Sequence, residues 1–450
     1  MDTVPPNLPS SSGASPVKGL SLRRNISWTF LGNVVYAGSN FLTLAVLAKL
    51  GSKAMVGEYS LGVAITIPVI NFCQLNLRSI QSTDVRGEFS FGDYLGLRLL
   101  MTLLSIAVVA GLCLTSSNST EQNLVTALVM VGSVFDLLLG DVLYGHFQLH
   151  ERMTRIALSR TLKGVVSLIA LIVVMKATHN VVFGAISIAV SYGFVYVLYD
   201  LPGIAHASRD FEFSLAPHFD LHRLKRLAIQ AIPMGITMML AVLSLNLPRY
   251  DLESRFGPAV LGMFSAMAGL IGAGRSVADA VSFSASSRLA RLHASGDRKR
   301  YLALVIKLAL VNGSVGLASL LIALTLGRPL LAAIFRPEYG RNLTAFVIIV
   351  AAGSLTYVAA LLGVAITSAR QFKVQVWWLL AVVVTGYVAS KLLVPTGGLT
   401  GAALALLAIC SVQMLIGVAL LIGILAKMPR ITLTDAASGV VKIDSVSAES

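Results

Sequence analysis

Long apolar runs, each closed by a short polar or glycine-containing break, recur from one end of the chain to the other. A hydrocarbon core about 30 Å thick needs roughly 20 apolar residues per helix. On that measure the pattern predicts spans at 26–48, 56–77, 94–115, 123–147, 156–175 and 180–199. A polar stretch from Asp200 to Arg226 follows. Six more spans are expected at 228–248, 258–283, 302–326, 343–367, 372–393 and 400–426. Only Pro395-Thr396-Gly397-Gly398 divides the last pair, and it reads as a tight turn on the outer side. Residues 1–22, with prolines at 5, 6, 9 and 16, and residues 427–450 lack this periodicity and read as disordered cytoplasmic ends. The expectation is an all-α polytopic membrane protein of twelve helices. It divides into a six-helix bundle at 23–200, a cytoplasmic linker at 201–227 and a second six-helix bundle at 228–426.

The two sets of spans resemble each other. Val56-Gly57-Glu58-Tyr59-Ser60 matches Leu261-Gly262-Met263-Phe264-Ser265 at an offset of 205. Tyr94-Leu95 matches Tyr301-Leu302 at 207, and Val182-Phe183-Gly184-Ala185 matches Leu399-Thr400-Gly401-Ala402 at 217. Leu143-Tyr144-Gly145 and Arg152 find Leu361-Leu362-Gly363 and Arg370 at 218. The matches keep one order, and the longer loop Gly327 to Asn342 absorbs the jump in offset. Six is even, so duplicated halves would share orientation and be related by an axis along the membrane normal.

Composition supports the membrane reading. Of 450 residues 56% are hydrophobic and only 12% charged, against about 25% charged in soluble domains; the mean hydropathy is +0.80. A net charge of +14 would suit nucleic acid if the basic residues formed a face. They sit instead in short loops between spans, as topology signals and contacts to anionic headgroups. With the N-terminus inside, the cytoplasmic loops hold 25 Lys and Arg and the outer loops 9, with Arg275 left out as intramembrane. This bias predicts a multi-pass cytoplasmic-membrane protein with both termini cytoplasmic. Trp28, Trp377 and Trp378 fall at the same helix ends, as interfacial anchors do. Cys73, Cys113 and Cys410 lie in apolar spans and imply no disulfide framework. The seven histidines show no metal-ligand spacing on a shared apolar face, and no G-x-x-x-x-G-K-[ST] occurs. No catalytic group, cofactor or metal is therefore expected.

The remaining chemistry is charge at or inside spans, which is expensive in a bilayer and marks functional positions by default. Arg249-Tyr250-Asp251-Leu252-Glu253-Ser254-Arg255 reads as a charged turn at a membrane edge. Arg275 and Asp279 lie four apart on one helical face, with Arg275 about 7 Å from the midplane. An anion grip and an internal ion pair that only fixes packing are both open to them. Asp136 lies mid-span with Asp141 a little deeper, about 140° away around the helix. Either a structural hydrogen bond or ion coupling would suit them. Arg160 and Lys163 share a face near the cytoplasmic start of the fifth span, and snorkelling to the headgroups is expected of both.

Two stretches resemble a known family. Leu77-Arg78-Ser79-Ile80-Gln81-Ser82-Thr83-Asp84 with Phe89-Ser90-Phe91-Gly92-Asp93-Tyr94 is similar to the segment after the second helix of bacterial polysaccharide transporters. Asn246-Leu247-Pro248-Arg249-Tyr250, with Gly257 and Leu261-Gly262-Met263-Phe264-Ser265, resembles their seventh-to-eighth helix signature. These are the Wzx-type flippases of the multidrug/oligosaccharidyl-lipid/polysaccharide (MOP) exporter superfamily, and the similarity covers about residues 20–426. Asp251 departs from the pattern, where an aromatic or similar residue is commoner. The resemblance implies a MATE-like pair of six-helix lobes. Between them, the first, second, seventh and eighth helices would line a cavity for an oligosaccharide on polyprenyl pyrophosphate. It makes Arg249 and Arg275 the preferred anion contacts, with Asp279 and Arg255 beside them, and Arg78, Asp84, Pro248 and Tyr250 motif positions. Membrane lipids and a polysaccharide polymerase complex are the partners it implies.

A pyrophosphate head would lose its water in hydrocarbon, and guanidinium forks can replace that water. Two other functions compete. A cation-coupled multidrug exporter of the same superfamily would want an acidic cavity. A membrane polysaccharide polymerase would want a large outer loop, whereas Gly327 to Asn342 is the longest expected here.

Overall fold

The computed structural model describes residues 22–84, 87–150, 152–210, 213–369 and 371–428. The ends read as disordered lie outside the described residues, apart from Leu22, Lys427 and Met428, and so do the topology residues Lys18, Arg86, Arg370, Arg430 and Lys442. Among the described residues there is no strand. The helices are α1 (Leu22–Leu50), α2 (Lys53–Gln74), α3 (Leu77–Thr83), α4 (Phe91–Thr115), α5 (Thr120–Ser133), α6 (Gly140–Leu149), α7 (Met153–Thr178), α8 (Val181–Val195) and α9 (Leu201–Asp210). The second half adds α10 (Leu221–Gly269), α11 (Ile271–Ser284), α12 (Ser286–Ala294), α13 (Arg298–Ile334), α14 (Leu343–Ser368) and α15 (Phe372–Lys427). Widened π-helical turns, Val134–Leu139 and Tyr196–Asp200, join α5 to α6 and α8 to α9.

Ten helical segments among the described residues are long and apolar enough to cross a membrane. Two helices, α10 and α15, run to 49 and 56 residues, and each contains one glycine in the left-handed region: Gly257 (φ 75°) and Gly398 (φ 51°). Only glycine takes such a φ without a steric penalty. Each long helix reverses there into two limbs, which accords with twelve crossings.

Gly257 also corrects the sequence reading. The segment from Arg249 to Arg255 is not a turn but the last two turns of a limb running from Leu221 to the glycine. Pro248 withdraws one N–H from the helix without ending it. Gly257 supplies the reversal, and Pro258, whose fixed φ suits a first helical turn, starts the next limb. Arg249 is therefore eight residues, about 12 Å, inside the span rather than at its edge.

The two halves repeat one packing scheme. Gly32 lets α1 lie against Ala157 of α7, and Gly386 lets α15 lie against Leu247 of α10. Gly62 of α2 meets Thr126 of α5, and Ile271 of α11 meets Gly353 of α14. Between the halves, α2 runs along α10. Gly57 faces Pro258 at one end, Tyr250 donates to the Ala64 carbonyl (2.5 Å) in the middle, and Gly235 sits on Phe72 at the other end.

The connections gather at two ends. At the Gly257 end, Arg336 donates to the Lys49 and Gly51 carbonyls (3.1 and 2.7 Å), Lys53 pairs with Glu338, and the His179 ring meets the Leu50 carbonyl (3.0 Å). At the opposite end, Ser90 and Asp93 form a reciprocal cap on α4. Arg223 binds Asp93 at 3.0 Å, and Arg226 approaches Glu88 at 3.3 Å. The first turns of α10 are thereby tied to the first half.

Candidate functional site

A cavity of about 420 Å³ opens among α1, α2, α5 with its π turn, α8 and both limbs of α10. Tyr36, Asn40 and Leu44 line it from one face of α1, and Tyr59, Ser60, Val63 and Ile67 from one face of α2, at helical spacing. Its polar wall is completed by Asp136, Tyr192, Arg249 and Ser265. The first, second, seventh and eighth spans contribute, as the resemblance implied, and the fourth and sixth contribute as well.

Arg249 is the cation on that wall. One guanidinium nitrogen donates to the Asn246 side chain at 2.8 Å, and its Nε is buried without a partner. No described carboxylate pairs with it. Asp251, two residues on, is about 200° around the helix and is bound instead by Lys391 of α15 at 2.6 Å. Tyr250, locked to Ala64 eleven residues into α2, holds this turn of α10 near mid-span.

Asp136 sits in the π turn, where it accepts the Tyr36 hydroxyl and lies 3.6 Å from the Lys163 ammonium. Lys163 in turn lies 3.0 Å from Asp200 and donates to the Tyr144 hydroxyl at 3.0 Å. It is 0% exposed, so the snorkelling expectation fails for Lys163. Ten residues into α7, about 15 Å from the helix start, its head has two carboxylates nearer than any headgroup. Asp141 takes different partners, Arg98 at 3.0 Å and Arg78 at 4.0 Å, and stands outside the cavity wall. The two aspartates point apart, as their spacing requires.

The other nominated residues are placed elsewhere. Arg275 and Asp279 form their ion pair (2.9 and 3.0 Å) on α11, with 40% and 34% of their side chains exposed, and do not line the cavity. Arg255 is exposed just before Gly257 and does not line it either. Asp84 knits its loop, accepting the N–H groups of Glu88 and Phe89 (2.9 and 3.0 Å) and the Tyr94 hydroxyl (3.2 Å). Arg78 donates to Gln148 at 2.9 Å.

Sequence reasoning missed Tyr36, Asn40, Tyr59 and Tyr192, whose only signal was a polar atom within an apolar run. It also missed Lys163 as the cation that Asp136 shares with Asp200. No group of three or more potential metal ligands occurs among the described residues.

Helix order and lobe packing are those of MATE-type transporters. The MATE multidrug transporter DinF-BH superposes with a TM-score of 0.63, covering 92% of this chain and 98% of that one at 14% identity. A mutant of the Vibrio cholerae MATE transporter VcmN gives 0.59, with 90% and 95% covered at 14% identity. Such identities establish architecture alone: this chain has the multi-pass helical fold seen in MATE-type transporters. Residues 22–287 carry the narrower assignment, and by them the chain belongs to the polysaccharide biosynthesis protein family. Capsular polysaccharide biosynthesis protein CapF of Staphylococcus aureus is 27% identical over 384 residues, covering 85% of this chain and 94% of that one.

Proposed function

We propose that this protein is a flippase that carries a polyprenyl pyrophosphate-linked oligosaccharide across the cytoplasmic membrane, by alternating access between its two lobes. One observation carries the reading. The cavity's acid, Asp136, is held by the Tyr36 hydroxyl and by Lys163, which it shares with Asp200, while its base, Arg249, has no carboxylate partner among the described residues and a buried Nε without a partner. The wall therefore offers a guanidinium with donors to spare in a low-dielectric place. That suits a pyrophosphate head, which needs guanidinium donors to replace lost water, and opposes the cationic drug of the alternative exporter reading. A polymerase is disfavoured because the longest connection at the Gly257 end is mostly the end of α13 and a single 3-10 turn, Pro337–Asn342.

Sugars would occupy the tyrosine- and serine-lined wall, and the prenyl tail would stay in lipid. With both termini inside, as the basic loops imply, export of the anionic head gains about 2.3 kcal/mol per charge per 100 mV. Ion coupling through Asp136 would require release from Lys163 and Tyr36, and through Asp141 release from Arg98. The product would pass to a polymerase on the outer side.

The test is flipping of a prenyl pyrophosphate disaccharide in proteoliposomes. Arg249→Gln should slow flipping about tenfold or more, the scale of a lost charge-assisted contact, and Arg249→Lys should keep part of it. A cationic dye should not move. Wild-type flipping by Arg249→Gln, or dye transport by the native protein, would overturn the proposal.

A further inference from the structure

Toward the end of the molecule opposite Gly257, a second cationic position stands beside the cavity. Here Arg78, Arg98, Arg160 and Lys163 meet Asp136, Asp141 and Asp200. Four cations thus meet three carboxylates. Arg98 and Lys163 are fully buried in their pairs, and Arg78 shares Asp141 with Arg98. Arg160 is the one of the four for which no described carboxylate is a partner.

Arg160 is nevertheless held in place. Its guanidinium carbon lies 5.7 Å from the Tyr36 ring centre and 5.8 Å from that of Tyr144, and one nitrogen donates to Asn33 at 2.6 Å. Aromatic rings engage a guanidinium through its charge and its plane, so they fix the group without consuming its N–H edge. Of five donors, one is committed to Asn33. The group is partly exposed, unlike Arg98. Tyr36, one of its two walls, also lines the cavity and binds Asp136. Asn33, Tyr36 and Asn40 share one face of α1, spanning about 10 Å, and so lay a polar track from Arg160 into the cavity.

We infer that Arg160, oriented by Asn33 and set between Tyr36 and Tyr144, is a second anion site that takes the phosphate end of a lipid-linked head before Arg249 does. This rests on the flippase reading and deepens it. One guanidinium waits at the mouth and another in the wall, and the head moves between them along α1 without being left in hydrocarbon unpaired. An ordinary phospholipid phosphate has the same chemistry, so the two sources have to be separated by experiment.

The full-length protein in phosphatidylcholine nanodiscs is titrated with undecaprenyl pyrophosphate, and binding is read by native mass spectrometry. Arg160→Gln should weaken binding about tenfold, the scale of a lost bidentate phosphate contact. Arg160→Lys, which keeps the charge and serves if the Gln variant folds poorly, should weaken it about threefold. Phosphatidylglycerol should not displace the probe from the native protein. Unchanged binding in both variants would overturn the inference while leaving the Arg249 flipping test untouched. Arg160-dependent displacement by phosphatidylglycerol would also overturn it, by making the position a bulk-lipid contact. A native protein that binds no undecaprenyl pyrophosphate would remove this inference and the flippase reading together.

Discussion

Gly57 and Gly262, 205 positions apart, are each pressed against the other's half of the chain: Gly57 on the Pro258 carbonyl, Gly262 on the Lys53 carbonyl. Lys53 and Pro258 are also 205 apart, so the contact is reciprocal. A self-complementary contact of this kind is what a two-fold axis produces in a homodimer. Here it lies within one chain and joins α2 to the second limb of α10. Any side chain at either glycine would overlap backbone.

Gly57→Ala and Gly262→Ala should therefore act alike. Overpacking a close contact costs about 1–3 kcal/mol, and here it would also hold the Gly257 end apart. Both variants should lower the melting temperature by similar amounts. Both should also make a cysteine at Ser60, on the cavity wall, more reactive from that end. Unequal effects on melting temperature would count against a true pseudo-two-fold contact.

Lys163 should be more important to folding than Arg249. Lys163→Met leaves Asp136 and Asp200 buried without their cation, and breaking a buried pair from one side costs about 3–5 kcal/mol. The expected result is loss of folded protein by size-exclusion yield. Lys163→Met/Asp136→Asn/Asp200→Asn should recover that yield, because no buried charge is then left over. Failure of the triple variant to recover would show that the ammonium does more than balance two carboxylates.

Arg275 and Asp279 are about a third or more exposed, and a helix-surface pair of that kind contributes about 0–1 kcal/mol. Arg275→Ala/Asp279→Ala should fold and flip within about twofold of the native rate on that scale. Loss of flipping by the double variant, with melting temperature unchanged, would place a phosphate contact at Arg275 instead.

The basic loops, 25 residues against 9, predict a sidedness that labelling can test. Ser117 lies next to α5, whose Gln122 binds the Glu58 carbonyl at the Gly257 end, while Ser295 lies at the end where Ser368 binds the Ser286 carbonyl. An impermeant thiol reagent should label Ser117→Cys from outside the cell and reach Ser295→Cys only after permeabilisation. Labelling of both from outside would reject the proposed topology.

The motif positions show how far local sequence carries a site. The family resemblance picks out Asp84 and Tyr250, but what they do in the structure is hold a loop and hold α10 to α2. Arg249 was picked out as well, though as part of a surface turn. Its depth became visible only when the reversal was found at Gly257.

The sequence by itself determined about where the apolar spans lie, the turn at Pro395 to Gly398, and the resemblance of one half to the other; the reversal at Gly257 it placed some residues too early. Those are local matters: hydrocarbon demands unbroken apolar runs, and only glycine turns at positive φ without strain. Tertiary structure alone decided which way each charge points and what it meets. Lys391 takes Asp251 from 140 residues away, Tyr36 takes Asp136 from 100, and Lys163 stands between two aspartates on other helices. Helical periodicity tells which residues share a face, but not which neighbour that face meets. In a bilayer nearly every face is apolar, so the pattern does not fix a helix's rotation. Packing fixed it, and left Arg160 and Arg249 as cations without a carboxylate among the described residues.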